Sequence, residues 1–141
     1  MRVITDNFYE RLYSEKLEDR IVITPIISKE DQINRGSVDL RLGTEFILTK
    51  KTKFSDLNLA DEELKEAIKS YQEKIHINIG KQLILHPNQF ILGSTLEYIK
   101  LPNDVSGYII GRSSWGRLGL IIATATLINP GFAGIITLEL T

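Results

Sequence analysis

Two hydrophobic rhythms run along the chain. Phe8, Leu12 and Tyr13 fall at i, i+4 and i+5, so residues 6–18 predict a short amphipathic helix capped by Asp6 or Asn7. Leu64, Ile68 and Tyr71 recur at i, i+4 and i+7 in a segment with acidic residues first and lysines later. That charge order suits the helix dipole and predicts a second helix over 55–74. Elsewhere the period is shorter. Val38-Asp-Leu-Arg-Leu42 alternates apolar and charged positions, which predicts a half-buried strand, punctuated by Gly43 and resumed by Phe46–Leu48. Ile21–Ile27 is a β-branched strand broken at Pro25. Gln82–His86, Gln89–Leu92, Thr95–Leu101, Gly107–Ile110, Leu120–Ile128 and Ile135–Leu140 predict further strands. Pro87-Asn88, Leu101-Pro-Asn-Asp104 and Asn129-Pro-Gly131 supply turns between them. Short strands with frequent turns and two small helices predict a mainly β sandwich or barrel.

Composition narrows the class. A chain of 141 residues fits one domain, and 43% hydrophobic with 25% charged residues supports a packed core rather than disorder. The formal net charge of -1 offers no basic field for nucleic acid or an anionic membrane. The chain has no cysteine, so disulfides, thiol nucleophiles and thiolate zinc sites are excluded. Two histidines, His76 and His86, exclude a three-histidine metal site. The charged N-terminus does not read as a signal peptide, and apolar runs such as Gly119–Leu127 are too short to span a bilayer. A cytoplasmic protein is expected.

The segment Gly111-Arg-Ser-Ser-Trp-Gly-Arg-Leu-Gly119 carries the densest candidate chemistry. Its glycines admit a ligand close to the backbone, its serines and N–H groups suit phosphate oxygens, and Arg112 and Arg117 supply permanent, bidentate charge. A helical turn over Ser113–Leu118 would add a favourable N-terminal dipole. The plain alternative is a β-to-helix corner with surface arginines. Glu139 interrupts an apolar run; by alternation it shares a face with Thr137 and Ile135, opposite Ile136, Leu138 and Leu140. It is either a solvent-facing carboxylate on an edge strand or a base in a cleft. Asp39 has the same ambiguity, its plain role being an ion pair with Arg41 or another arginine. His86, before Pro87, reads as structural, and His76, among isoleucines, as exposed or half-buried; neither has the partner spacing of a catalytic base.

Four blocks in order carry a family resemblance: Ser37-Val-Asp-Leu-Arg-Leu-Gly43, Leu101-Pro102, Gly111-Arg-Ser-Ser-Trp-Gly-Arg-Leu-Gly-Leu120, and Ile128-Asn-Pro-Gly-Phe-Ala-Gly-Ile-Ile-Thr-Leu-Glu-Leu140. Together they resemble the dCTP deaminases and their relatives the trimeric dUTPases, over nearly all of the chain. The helical insert over 57–74 is similar to one found in the deaminase members. The resemblance implies a distorted, jelly-roll-like β-barrel and a homotrimer with active sites between subunits. It implies zinc-independent deamination of dCTP to dUTP, with Mg²⁺ carried by the triphosphate and dTTP and dUTP as further ligands. By motif position, Glu139 matches the general base, Ser113 and the Ala125 backbone the groups that hold the attacking water, and Arg117 the arginine beside the reacting centre. Arg112, Ser113 and Ser114 match the triphosphate cradle. The dUTP-hydrolysing members have Asp where this chain has Asn129, and an amide is no base; this weighs against the alternative of a dUTP diphosphatase and leaves deamination intact, with a catalytically silent nucleotide-binding trimer module as a third reading. The stretch Ile121–Leu127 is one residue shorter than in many deaminases and lacks a histidine often found there. The resemblance also implies C-terminal strands and a lid beyond Thr141, so residues 1–141 read as one domain of this type without them. A strand end two residues past Glu139 is expected to fray.

Overall fold

A computed structural model of the chain describes residues 8–50 and 68–141. The framework is β1 (Val22–Thr24), β2 (Glu45–Thr49), β3 (Gln72–His76), β4 (Ile91–Lys100), β5 (Gly107–Tyr108), β6 (Leu127–Ile128) and β7 (Ala133–Leu140). Short helices α1 (Phe8–Leu12), α2 (Lys29–Gln32) and α3 (Ser113–Gly116) join them. The fold is mainly β, as the pattern predicts.

β4 organises the larger sheet. Its full length pairs antiparallel with β7. Its other edge is shared: β2 meets its N-terminal end, Leu42 bridges to Thr95, and β1 meets its C-terminal end. β3 extends the sheet beyond β2, and β5 and β6 form a separate two-stranded ribbon. No closed barrel is formed among the described strands.

The core lies on the β4–β7 ladder. Ile99 from β4 and Ile136, Leu138 and Leu140 from β7 cluster with Ile21 and Leu101, and Phe8, Leu12, Leu120, Ile122 and Phe132 pack around them. The alternation read along Ile135–Leu140 holds: Ile136, Leu138 and Leu140 are buried, while Ile135 and Thr137 are exposed and Glu139 is half-buried. The β4–β7 register is broken once. Four steps from Ser94 to Tyr98 face two from Thr137 to Ile135, so β4 bulges over Thr95–Glu97. The Thr95 hydroxyl spans the gap, accepting from Ile136 N–H at 3.0 Å and donating to the Glu97 carbonyl at 2.8 Å. Many bulges re-aim a side chain. Here the alternation along β4 is kept, and Glu97 stays on the buried side with Thr95 and Ile99.

Several predicted elements change. The first helix stops at Leu12, because the chain must turn to bring Ile21 into the core, its N–H bonded to the Arg11 carbonyl at 3.0 Å; Asp6 and Asn7 lie outside the described residues. β1 ends at Thr24, before Pro25, as expected. Of the helix predicted over 55–74, residues 51–67 lie outside the described residues and 68–70 are helical. Gln72–His76 is instead a strand, because its backbone completes the ladder to β2, supported by the exposed pair Lys50–Glu73 at 3.2 Å. Tertiary pairing overrides a good local helix propensity there. Gln82–His86 is irregular, although the turn at Pro87-Asn88 forms, with Asn88 at φ 62°. Gln89–Leu92 and Thr95–Leu101 merge into the single strand β4. Val38–Leu42 is not a strand, because its backbone groups are taken by side chains and by α2. The Asp39 N–H goes to the Gln32 carbonyl at 2.8 Å and the Arg41 N–H to the Glu97 carboxylate at 2.9 Å. The stretch Leu120–Ile128 leaves only β6 as regular strand, with its first half bonded to the end of β7.

Candidate active site

Glu139 stands on a strand covered along both edges. On one side it is in register with Leu92 of β4. On the other, the segment after α3 runs alongside. Ile121 and Thr141 exchange N–H···O bonds at 2.8 and 3.0 Å, Ile122 bridges Leu140, and Ala123 N–H donates to the Glu139 carbonyl at 2.8 Å. The Glu139 N–H then leaves the ladder and donates to the Thr124 hydroxyl at 2.6 Å. The edge position expected for Glu139 is not found: the N–H and carbonyl groups of Glu139 and Thr141 are bonded to Ile121, Ala123 and Thr124. Thr124, which accepts from the Glu139 N–H and lines a hollow beyond it, did not stand out in the sequence. A threonine in a β-branched run looks like any other strand residue, and only the departure of the chain from the ladder shows its role.

Beyond Thr124 the chain opens a hollow of about 320 Å³. Ala125 and Asn129 line it, with Thr137 from the Glu139 face of β7 and Phe132, Ile135 and Ile109 as apolar walls. The turn that holds Asn129 is tight. Gly131 has φ 75°, a left-handed conformation that favours glycine; a Cβ there would sit 2.6 Å from the Asn103 Oδ1, a side-chain end that would have to shift. Its N–H donates to the Pro102 carbonyl at 3.0 Å, and Phe132 N–H to the Asn129 carbonyl at 3.2 Å. The ribbon β5–β6, continued by Ile109 N–H to the Thr126 carbonyl at 2.8 Å, ties this wall to the residues just before Gly111.

The Gly111–Gly119 segment is a corner. Arg112 precedes α3 in an extended conformation, and its carbonyl accepts from the N–H groups of Trp115 and Gly116 at 3.0 and 3.1 Å. Gly119 at φ 92° reverses the chain into Leu120. α3 covers four residues, one turn, and is too short to sum a macrodipole. Arg112, Ser113, Ser114 and Arg117 are all exposed. Among the described residues, the N–H groups of Ser113 and Ser114 donate to no backbone carbonyl. The Arg112 guanidinium meets one carboxylate, Asp39, at 3.5 Å; the ion pair expected of Asp39 is therefore made with Arg112 and not with Arg41. No hydrogen bond or ion pair within the described chain joins Glu139 to Arg112, Ser113, Ser114 or Arg117. The structure thus brings Ala125 and Asn129 to the hollow, with Glu139 bonded to the adjacent Ala123 and Thr124 but not lining it, and places Arg112, Ser113, Ser114 and Arg117 on the corner around α3. No group of three or more His, Asp or Glu side chains that could hold a metal is gathered among the described residues.

A second finding absent from the sequence reading is Glu97. It is fully buried, and both carboxylate oxygens are met: Oε1 by the amide nitrogen of the equally buried Gln32 at 3.0 Å, Oε2 by Arg41 N–H. The histidines behave as expected. His86 caps its turn through its backbone, and His76 is exposed on β3. Hydrogen bonds donated to the Glu45 carboxylate, and then to the Asn78 Oδ1, raise the His76 pKa above the ordinary imidazole value.

The family model described as dCTP deaminase-like matches residues 3–141. The chain belongs to the dCTP deaminase-like family. It is 42% identical over 133 residues to a protein of Methanobrevibacter smithii named dCTP deaminase, dUMP-forming, covering 93% of this chain and 66% of that one. A Dictyoglomus thermophilum relative of the same name is 44% identical over 87% of this chain and 62% of its own. A Natronomonas pharaonis relative named dCTP deaminase is 38% identical over the same shares. The chain therefore spans somewhat less than two thirds of the length of these family members. The fold is also that of the 2'-deoxycytidine 5'-triphosphate deaminase of Agrobacterium tumefaciens, with a TM-score of 0.64 at 20% identity, over 94% of this chain and 38% of that one.

Proposed function

We propose that the chain forms the catalytic domain of a zinc-independent dCTP deaminase. The observation that carries this reading is the mooring of Glu139. A general base must be held within a fraction of an ångström, and a strand bonded on both edges beside an open, partly apolar hollow does that. In the reaction, Glu139 takes a proton from water while the oxygen attacks C4 of the cytosine. The proton passes to N3, and the tetrahedral intermediate collapses as Glu139 transfers the second water proton to the departing amino group. The balance is dCTP plus water to dUTP plus ammonia. Ser113 and the Ala125 backbone hold the water, and Arg117 stands beside the reacting centre. Arg112 with the Ser113 and Ser114 N–H and hydroxyl groups cradles the triphosphate, which brings its own Mg²⁺.

The site is completed in a homotrimer, the Glu139 wall of one subunit facing the Arg112–Arg117 corner of another. Two features support this: the lack of any intrachain bond between the two walls, and the apolar side chains exposed around the corner, with Ile110, Trp115, Leu118 and Ile121 between 55% and 83% exposed. Apolar exposure of that extent marks a surface that meets a partner. The β4 sheet and the β5–β6 ribbon are then two walls of one distorted jelly-roll barrel.

The second reading concerns the product. The Methanobrevibacter and Dictyoglomus relatives are named dUMP-forming, which favours a further hydrolysis of dUTP. Against it stands Asn129, which has no charge to polarise a water and accepts no proton. One assay decides both points. With dCTP and Mg²⁺, the protein should release ammonia without matching pyrophosphate, and Glu139→Gln should keep dCTP binding while losing ammonia release by about three orders of magnitude or more. Residual turnover within about tenfold of wild type removes Glu139 from the chemistry. Pyrophosphate appearing in step with ammonia assigns the bifunctional reaction instead.

A further inference from the structure

We propose that Glu97 and Asp39 are positioning residues that set the Arg112 guanidinium. Burying a carboxylate completely costs several kcal/mol unless donors meet it, and an apolar side chain would fill the same space more cheaply. What the carboxylate of Glu97 does instead is define a loop. Residues 33–41 join no ladder beyond isolated bridges, so side-chain bonds supplement the few main-chain ones, such as Leu96 N–H to the Arg41 carbonyl at 2.8 Å. The Gln32 Oε1 accepts from Ile27 and Ser28 N–H at 2.8 and 3.2 Å, which fixes the amide with its NH2 turned inward. That NH2 donates to Glu97 and, at 3.2 Å, to the Asp39 carbonyl. Asp39 is therefore held at its N–H by the Gln32 carbonyl, at its carbonyl by the Gln32 amide, and two residues on by the bond from Arg41 N–H to Glu97.

A carboxylate fixed in this way is a defined anchor for a flexible arginine. Asp39 Oδ2 meets Arg112 Nη1, and Arg112 has no other ion pair or side-chain hydrogen bond among the described residues. Five N–H donors in a planar fork leave most of the guanidinium for a ligand while one nitrogen rests on Asp39. An exposed ion pair of this kind adds little stability. Its contribution is geometric: the fork is already oriented when a phosphate arrives, which lowers the ordering cost of binding. The purpose rests on the nucleotide reading above; the placement of Arg112 does not.

Two measurements separate the two. In the nucleotide-free chain, NMR relaxation of the Arg112 side-chain Nε–H group should show an ordered guanidinium in wild type. Asp39→Asn and Glu97→Gln should both release it, and Asp39→Glu should restore order. Glu97→Gln must place an NH2 against a donor, since Gln32 cannot turn round; should it fail to fold, Asp39→Asn alone decides. Unchanged Arg112 dynamics in Asp39→Asn would overturn the proposal. In the second measurement, Asp39→Asn should raise the dissociation constant for dCTP about tenfold, in the middle of the coupling range for residues in contact, and should have no effect in an Arg112→Ala background. An equal loss in both backgrounds, or tighter binding by Asp39→Asn, would also overturn it. Loss of Arg112 order in Asp39→Asn, in a wild-type chain that binds no nucleotide, would uphold the placement and remove the nucleotide reading.

Discussion

Glu139 and Glu97 are two glutamates on neighbouring strands with opposite fates. Glu139 follows strand alternation and faces out of the core, where a carboxylate can meet water and a substrate. Glu97 sits in the inward set and is satisfied there by Gln32 and Arg41. His76 shows the same logic at the surface. Its raised pKa comes from Glu45 first and Asn78 second, so the folded state holds the proton more tightly than the unfolded chain. The resulting stabilisation is complete below the unfolded pKa and is lost as pH climbs through the higher folded value. The imidazole is fully exposed, so the effect belongs to titration rather than to stability. An NMR titration should place the His76 midpoint above that of a model histidine, and Glu45→Gln should move it down. A midpoint that ignores Glu45→Gln would show that the contact does not persist in solution.

At the scale of elements, the β4–β7 ladder was legible in the alternation of Ile135–Leu140, and the turns at Pro87-Asn88 and Asn129-Pro-Gly131 in their residue types. The Gly111–Gly119 corner and Glu139 were legible as motif. The bulge was not. Thr95, Leu96 and Glu97 carry no local mark of it, because a bulge is a relation between two strands 40 residues apart. Val38–Leu42 misled for the same reason: its pattern is that of a strand, while the Asp39 N–H goes to a main-chain carbonyl of α2 and the Arg41 N–H to a side chain of β4. The helix predicted to reach residue 74 gave way to a strand because β2 offered a complete ladder. The bulge invites a test. Thr95→Val keeps shape and β-propensity but leaves the buried Ile136 N–H without an acceptor. It should cost about 1–3 kcal/mol in denaturant unfolding, the penalty for an unmade buried hydrogen bond. A change under about 0.5 kcal/mol would mean that the backbone closes the gap without the hydroxyl.

For the whole molecule, no hydrogen bond or ion pair among the described residues joins the two parts of the proposed site, and the proposed trimer would bring them together. Sedimentation at micromolar concentration should show a trimer, and Leu118→Glu should shift it towards monomer, because a charge would be buried among the apolar side chains around α3. Only monomer from the wild-type protein would remove the subunit-shared site. Mixing Glu139→Gln with Arg117→Ala chains offers a stricter check. Each is dead alone, but mixed trimers regain a fraction of wild-type activity if one site draws on two subunits, and none if it does not.

The register break in β4 also limits how this strand can change in length. Between Ser94 and Tyr98 it carries two residues more than β7 requires, an even surplus. Inward and outward positions therefore keep their parity across the break, and Ile91 and Ile99 both face the core although the ladder is interrupted between them. Removing one residue would turn everything downstream over, exposing Ile99 and burying Lys100. Removing Leu96 and Glu97 together would preserve parity while losing the carboxylate, the Leu96 N–H bond to the Arg41 carbonyl and the Thr95 bond to the Glu97 carbonyl. A one-residue deletion should therefore yield insoluble protein, whereas the two-residue deletion should still melt cooperatively with a disordered Arg112. Length variation at this point of the strand is expected to come in steps of two.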